Sequence, residues 1–123
     1  MFTFAASCGG GGYATTLAAL AAAPPMGVPF IGPDLAGADA APGKSGYLVN
    51  TVNQGVQVLA QANTCNNVAN SFTDFLATAT PITVGTTGQR SFGSDARGTI
   101  YQDSTGAILA WPLAVAGTVT ILQ

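Results

Sequence analysis

The clearest helical pattern in this 123-residue chain is confined to one short segment. It runs from residue 13 to residue 23, with Thr15 or Thr16 as its N-cap, and Pro24 and Pro25 end it. Further along, runs of β-branched and aromatic residues alternate with glycine-, asparagine- and aspartate-containing turns. The pattern predicts an α+β, mainly β fold with an antiparallel sheet of four to five strands.

Five segments are predicted to be strands. They are residues 47–52, 73–80, 89–94, 99–102 and 113–122. Segments 89–94 and 99–102 flank Asp95-Ala-Arg-Gly98, which is typical of a hairpin loop, and should pair with each other. The alternating tail predicts a half-buried strand at the sheet edge. Residues 53–61 fit either a turn with a returning strand or a helix, and the sequence alone does not decide.

The length of the chain is that of a single domain, and we divide it into three parts. Residues 1–12 form an N-terminal arm without helical continuity, because it ends in four glycines. Residues 13–45 hold the short helix and a long Pro/Gly loop. Residues 46–123 hold the sheet, with an insertion at 53–72.

Charge is scarce in this chain. Charged residues make up 7% of it, whereas soluble domains average about 25%. The three scattered cations do not form the basic patch that nucleic acid requires. A net charge of −2 gives little repulsion, which favours close packing against neighbouring chains.

Few residues of this chain are candidates for a catalytic or metal-binding role. Histidine is absent, so the usual nucleophilic triad is excluded and no zinc cluster can be assembled from two distant cysteines. Asp95 and Asp103 flank one short strand and fit two interpretations: turn residues that bind local backbone, which we favour, or calcium ligands. We therefore predict no enzyme activity, no catalytic residue, no metal site and no cofactor.

Cys8 and Cys65 are the only cysteines. In a small, threonine-rich chain of low charge they favour a disulfide and an oxidising, extracellular environment. The alternative is a pair of buried free thiols in a cytosolic protein. The bridge would close a loop of 57 residues and stabilise the fold by roughly 4 kcal/mol in the chain-entropy model.

Three motifs resemble the globular, C-terminal domain of bacterial type IV pilins and pseudopilins. They are Lys44-Ser-Gly-Tyr-Leu-Val-Asn50, then Ala79-Thr-Pro-Ile-Thr-Val-Gly-Thr-Thr-Gly-Gln-Arg-Ser-Phe92, then Asp95-Ala-Arg-Gly-Thr-Ile-Tyr101. Their order and spacing agree with the family over about half of the chain. The resemblance implies a pilin-like sheet and a structural role in a cell-surface pilus or a pseudopilus.

The chain departs from that family at its start. Pilins begin with a long apolar helix that anchors them in the membrane and forms the filament core, and no such helix is recognisable here. Two explanations fit: a truncated soluble domain, or the separately encoded globular chain of a two-chain pilin. Met1 and the nearby apolar Phe2 and Phe4 favour the second.

From this resemblance we expect an exported, extracellular subunit that pairs with a short helical pilin chain and with further copies in a filament. Contact with a membrane would come only through the helix of the partner. Apolar residues expected on the face that the partner helix covers are Phe2, Phe4, Leu17, Leu20, Leu48, Phe92 and Ile100. The alternative is a periplasmic or cell-surface binding module, such as an adhesin or a pilin-stabilising factor, that stays outside the filament.

Overall fold

The computed structural model describes residues 1–122, and its strands form one antiparallel sheet. The helices are α1 (Phe2–Ser7), α2 (Leu17–Ala21) and a 3-10 turn at Gln61–Asn63. The strands are β1 (Tyr47–Leu59), β2 (Ser71–Pro81), β3 (Ser91–Asp95), β4 (Ile100–Asp103) and β5 (Val119–Ile121). They lie in the order β1-β2-β3-β4-β5. The prediction of a mainly β fold with a four- to five-stranded antiparallel sheet is confirmed.

The chain divides into two compact units. The first combines residues 1–37 with residues 51–75, and the second combines residues 38–50 with the chain from Leu76 onward. Strands β1 and β2 contribute residues to both units. The predicted insertion at 53–72 supplies the second half of β1 and the first two residues of β2.

A disulfide between Cys8 and Cys65 ties the first unit together, as the sequence predicts. Cys8 is buried in a core with Phe4, Ala14, Ala19 and Leu20. Close by, the Asn66 side-chain amide donates hydrogen bonds to the carbonyl oxygens of Ala19 and Ala22, at 2.7 and 2.9 Å. These carbonyls lie at the C-terminal end of α2, where carbonyl oxygens have no N–H partner within the helix.

Both N-terminal helices differ from the sequence prediction. The arm at residues 1–12 contains α1, because burial of Phe4 against Phe30 stabilises a helix that propensity alone did not indicate. The predicted helix at 13–23 is reduced to α2. Tyr13 is instead bridged to Phe72 by two backbone hydrogen bonds, and Thr16 caps the helix by accepting a bond from the Ala19 N–H.

Strand β1 is one continuous strand of 13 residues, so the helix interpretation of residues 53–61 was wrong. The interpretation as a turn with a returning strand was right about a strand at residues 56–59 and wrong about the turn before it. Gly55 has a φ of 79°, a left-handed conformation that glycine adopts without steric cost, and it lets the chain continue instead of turning. The side chains of β2 accept nearby hydrogen bonds: Thr73 from the Val56 N–H at 3.0 Å, and Ser71 from the Leu59 N–H at 3.1 Å.

In the second unit, β3 and β4 form the predicted hairpin. Phe92 lies opposite Gln102, and Ser94 lies opposite Ile100. The tail prediction was only partly right, since β5 pairs with β4 at the sheet edge but covers three residues, not ten. Gly117, at a φ of 55°, reverses the chain just before β5, and Ala116 and Val119 exchange two backbone hydrogen bonds across this turn.

Candidate protein interaction surface

The sheet of the second unit presents two faces of different character. Side chains alternate along a strand, and residues that lie opposite each other share a face. The register pairs Ala77 with Ser94 and Ser94 with Ile100, so these residues share one face. Ala79 and Phe92 pair on the same face. Tyr101 and Gly93 pair on the other.

The first face carries a shallow, open groove of about 210 Å³. Its lining is Val49, Ala77, Thr78, Ala79, Phe92, Gly93, Ser94 and Ile100. None of these residues is charged, and the only side-chain polar groups are two hydroxyls. Ile100 keeps 46% of its surface exposed, so the apolar wall is in contact with solvent.

Tyr47 stiffens the wall of this groove. Its ring lies 6.2 Å from the ring of Phe92, and its hydroxyl donates a 2.8 Å hydrogen bond to the carbonyl of Arg90. Gly88 leaves the space that the Tyr47 ring occupies, because a Cβ at that position would collide with the ring and hydroxyl. The position of Phe92 is therefore fixed by packing as well as by its strand.

The opposite face is covered by residues 107–113, which we call the strap. Leu109 and Leu113 of the strap are buried with Leu76 and Tyr101, and Gly93 gives them room because it has no side chain. The Ser91 hydroxyl donates a hydrogen bond to the Ala107 carbonyl at the start of the strap. One face of this sheet is thus closed by the chain itself, and the groove is on the open face.

Asp95 and Arg97 hold the other end of the strap. Arg97 binds the Asp95 carboxylate through Nε and through Nη2, the latter at 2.8 Å, and Nη2 also donates to the carbonyl of Leu113 at 2.8 Å. The guanidinium lies 5.5 Å from the ring centre of Tyr101, which adds a cation–π contact. Burial raises the pKa of Asp95, but the hydrogen bonds and charge of Arg97 outweigh it and lower that pKa.

Asp103 organises the next turn. Its Oδ1 accepts hydrogen bonds from the Thr105 N–H, the Thr105 hydroxyl and the Thr118 hydroxyl, at 2.9, 2.7 and 2.8 Å. These bonds lower the pKa of Asp103. Asp95 likewise accepts from a backbone N–H two residues on, that of Arg97, so the interpretation of both aspartates as turn residues is confirmed.

Within residues 1–122, no group of three or more Cys, Asp, Glu or His residues could hold a metal ion.

The residues predicted to meet a partner helix fall in different places. Phe92 and Ile100 line the groove, and Leu48 is half-buried next to the lining residue Val49. Phe2 is 55% exposed in the first unit, where its ring meets those of Tyr13 and Phe75 edge to face.

The other three are not on an open face. Phe4, Leu17 and Leu20 are buried inside the first unit, because α1 and α2 direct them into their own core. These three residues are therefore removed from the predicted surface.

Sequence reasoning missed Val49, Ala77 and Ala79. Val49 was one position away from the predicted Leu48, and strand periodicity alone did not fix which of the two faces the groove. The alanines gave no signal as binding residues because small side chains are also typical of ordinary strands. Their alternate spacing opposite Phe92 and Ser94 becomes informative only once the register is known.

Comparison with protein-family models, curated proteins and solved structures finds no match to this chain. Across residues 1–122, no helix has the length and apolar character needed to cross a membrane.

Proposed function

We propose that this chain is a non-enzymatic, structural subunit of an extracellular pilus-like or pseudopilus filament. Its groove receives the apolar side chains of a separate, short helical pilin chain. The observation that carries this proposal is the origin of the groove walls. Val49, Ala79, Phe92 and Ile100 come from the three segments whose sequences resemble pilins.

The dimensions and chemistry of the groove favour protein side chains over a small molecule. At about 210 Å³ it is smaller than the roughly 300–1,000 Å³ of ordinary ligand pockets. It also lacks the convergent polar groups that orient a ligand in such pockets. An apolar helix could place one or two side chains against Phe92 and Ile100 without desolvating any charged group of the groove.

The absence of acid–base groups in the groove supports a structural role. None of its lining residues titrates near neutral pH. Asp95 and Asp103 each accept a hydrogen bond from a backbone N–H within their own turn. General acid–base catalysis needs a titratable side chain at the reacting group, and this groove does not provide one.

The disulfide supports export. Disulfides such as Cys8–Cys65 are typical of oxidising compartments such as the periplasm and the cell exterior. The low charge of the chain adds to this argument, because neighbouring subunits can pack without burying many ions.

The test is co-purification of the chain with a helical pilin chain from the same organism. We expect Phe92→Asp and Ile100→Asp to abolish the complex, because each places a charge in the apolar groove. Ile108→Asp is the matched control: Ile108 is 73% exposed and belongs to the strap on the other face, so its complex should persist. Equal binding by Ile100→Asp and the unmodified chain would contradict the proposed groove.

The alternative is a binding module outside the filament, such as an adhesin or a factor that stabilises the helical chain. The same open apolar groove favours it, because the groove would accept a helix in either setting. The two functions differ in where the complex is found: a filament subunit co-purifies with sheared filaments, whereas a stabilising factor stays with the cells.

A further inference from the structure

The outer edge of β1 is open over its second half. The strand order gives β1 a single neighbour, β2, so its other edge faces no strand of the described chain. Near the start of β1 this edge is occupied, because the Val49 N–H donates to the Ala38 carbonyl at 2.9 Å and Tyr47 exchanges two bonds with Lys44. Within residues 1–122, no backbone hydrogen bond of this kind covers residues 52–58.

Residues 52–58 are also exposed to solvent, apart from half-buried Gln54. Val52, Val56 and Val58 keep 47%, 67% and 38% of their surface in solvent. Asn53 and Gln57 between them are exposed as well. A strand in a packed sheet buries alternate residues. Val52 and Val56 therefore lie outside the core, whereas Val58 lies against Gly12 and is the least exposed of the three.

Two common protections against edge pairing, charged residues and proline, are missing from this segment. Natural edge strands carry charged residues, above all lysine, or proline, which has no backbone N–H, and both discourage pairing with a further strand. From Ser45 to Thr73 this chain has no charged residue and no proline. Gly55, with its positive φ, is the one irregularity in the strand.

We propose that residues 52–58 of β1 pair with the same segment of a second copy of this chain, antiparallel and about a two-fold axis. The unpaired backbone groups of an edge require an extended strand as their partner, which defines the chemistry of the occupant. The absence of charge favours a second copy, since two identical uncharged strands meet without like charges opposite each other in any register. Valine and glutamine side chains would then form the cross-strand contacts.

Other classes of partner fit this segment less well. Nucleic acid and anionic membranes are bound through lysine and arginine, and none lies between Ser45 and Thr73. The segment belongs to the first unit, whereas the groove belongs to the second. The self-pairing proposal therefore does not rest on the proposed filament function.

The experiment measures the mass of the purified full chain by sedimentation equilibrium from micromolar to millimolar concentration, together with hydrogen exchange. We expect a monomer–dimer equilibrium in which amides of residues 52–58 gain protection as the concentration rises. Val56→Lys should weaken the dimer by about tenfold or more, which corresponds to about 1.4 kcal/mol. An equimolar mixture of the Val56→Lys and Val56→Asp variants should restore the dimer.

Val28→Lys is the control for the added charge. Val28 lies in the same unit, is 77% exposed and is outside every strand, so this variant should dimerise like the unmodified chain. Three results would overturn the proposal: a monomer at every concentration, a dimer without protection at 52–58, or equal weakening by both lysine variants. Protection of this segment only when a different protein is added would also contradict self-pairing.

Discussion

Asp103 shows how one side chain fixes a turn in this molecule. Its Oδ1 accepts three hydrogen bonds, from the Thr105 N–H and from the hydroxyls of Thr105 and Thr118. The first two bonds close the turn after β4, and the third brings in the residue that precedes β5. Protonation of the carboxylate would weaken all three bonds, which is why they lower the pKa of Asp103.

This lowered pKa gives a prediction for acid stability. A carboxylate whose folded-state pKa lies below its unfolded value stabilises the fold above the unfolded pKa of about 4. That stabilisation is lost as pH falls through the folded pKa. Asp95, whose pKa is also lowered, adds to the same acid-side loss.

Urea unfolding at pH values from 7 down to 2.5 measures the effect. We expect Asp103→Asn to lower the free energy of unfolding at pH 7 and to flatten its decline below pH 4, because the titrating carboxylate is gone. Asp95 retains its own contribution, so some slope should remain. A decline for Asp103→Asn as steep as that of the unmodified chain would contradict this account of Asp103.

Among the elements, α1 and α2 are too short to be stable by themselves. Their stability in the first unit comes from burial of Phe4, Leu17 and Leu20 and from the Cys8–Cys65 bridge. The bridge joins the end of α1 to the connection between β1 and β2. The first unit should therefore depend strongly on this one covalent link.

Replacement of both cysteines by alanine tests that dependence. The bridge closes a loop with a sequence separation of 57, so its removal should lower the free energy of unfolding by about 4 kcal/mol. Denaturant titration of both proteins without reductant measures the difference. With reductant present the unmodified chain should lose most of its advantage; an unchanged midpoint for the double variant would show that packing alone holds α1.

Local pattern predicted some elements well and others poorly. The β3–β4 hairpin was recognisable because Asp95-Ala-Arg-Gly98, which is typical of a hairpin loop, separates two short segments that contain Phe92 and Ile100, and the disulfide because only one pairing exists. The continuity of β1 was not recognisable, because Asn53-Gln54-Gly55 are residues typical of a turn. In the structure Gly55 takes up a positive φ inside the strand, and the strand continues through it. Only residues 119–121 of the alternating tail form a strand, because burial of Leu113 together with Leu109 holds the start of the tail in the strap across the sheet face.

The candidate groove was predictable only in part. Phe92 and Ile100 stood out as apolar residues within the pilin-like motifs. Their meeting on one face depends on the Ser94–Ile100 register, which sequence spacing does not specify. Phe4, Leu17 and Leu20 were misassigned because the sequence of a short helix looks the same whether its apolar residues pack into the core of the chain or against a partner.

On the scale of the whole molecule, three features stand together: scarce charge, a disulfide, and an apolar groove on a sheet whose other face is covered by the strap. These three observations are the basis of our proposal that the chain is a subunit that packs against other chains. In the proposed function the open face is the place where the partner helix packs, because its groove is lined by uncharged and mostly apolar residues.

The composition of filaments sheared from the cell surface tests the central claim most directly. We predict that quantitative mass spectrometry of purified filaments finds this chain and a short helical pilin chain in equal amounts. In cells that carry Ile100→Asp, this chain should be missing from the filament fraction, whereas the Ile108→Asp control should retain it. Filaments that contain the helical chain but never this one, alongside a free monomer of this chain in the periplasm, would contradict the claim.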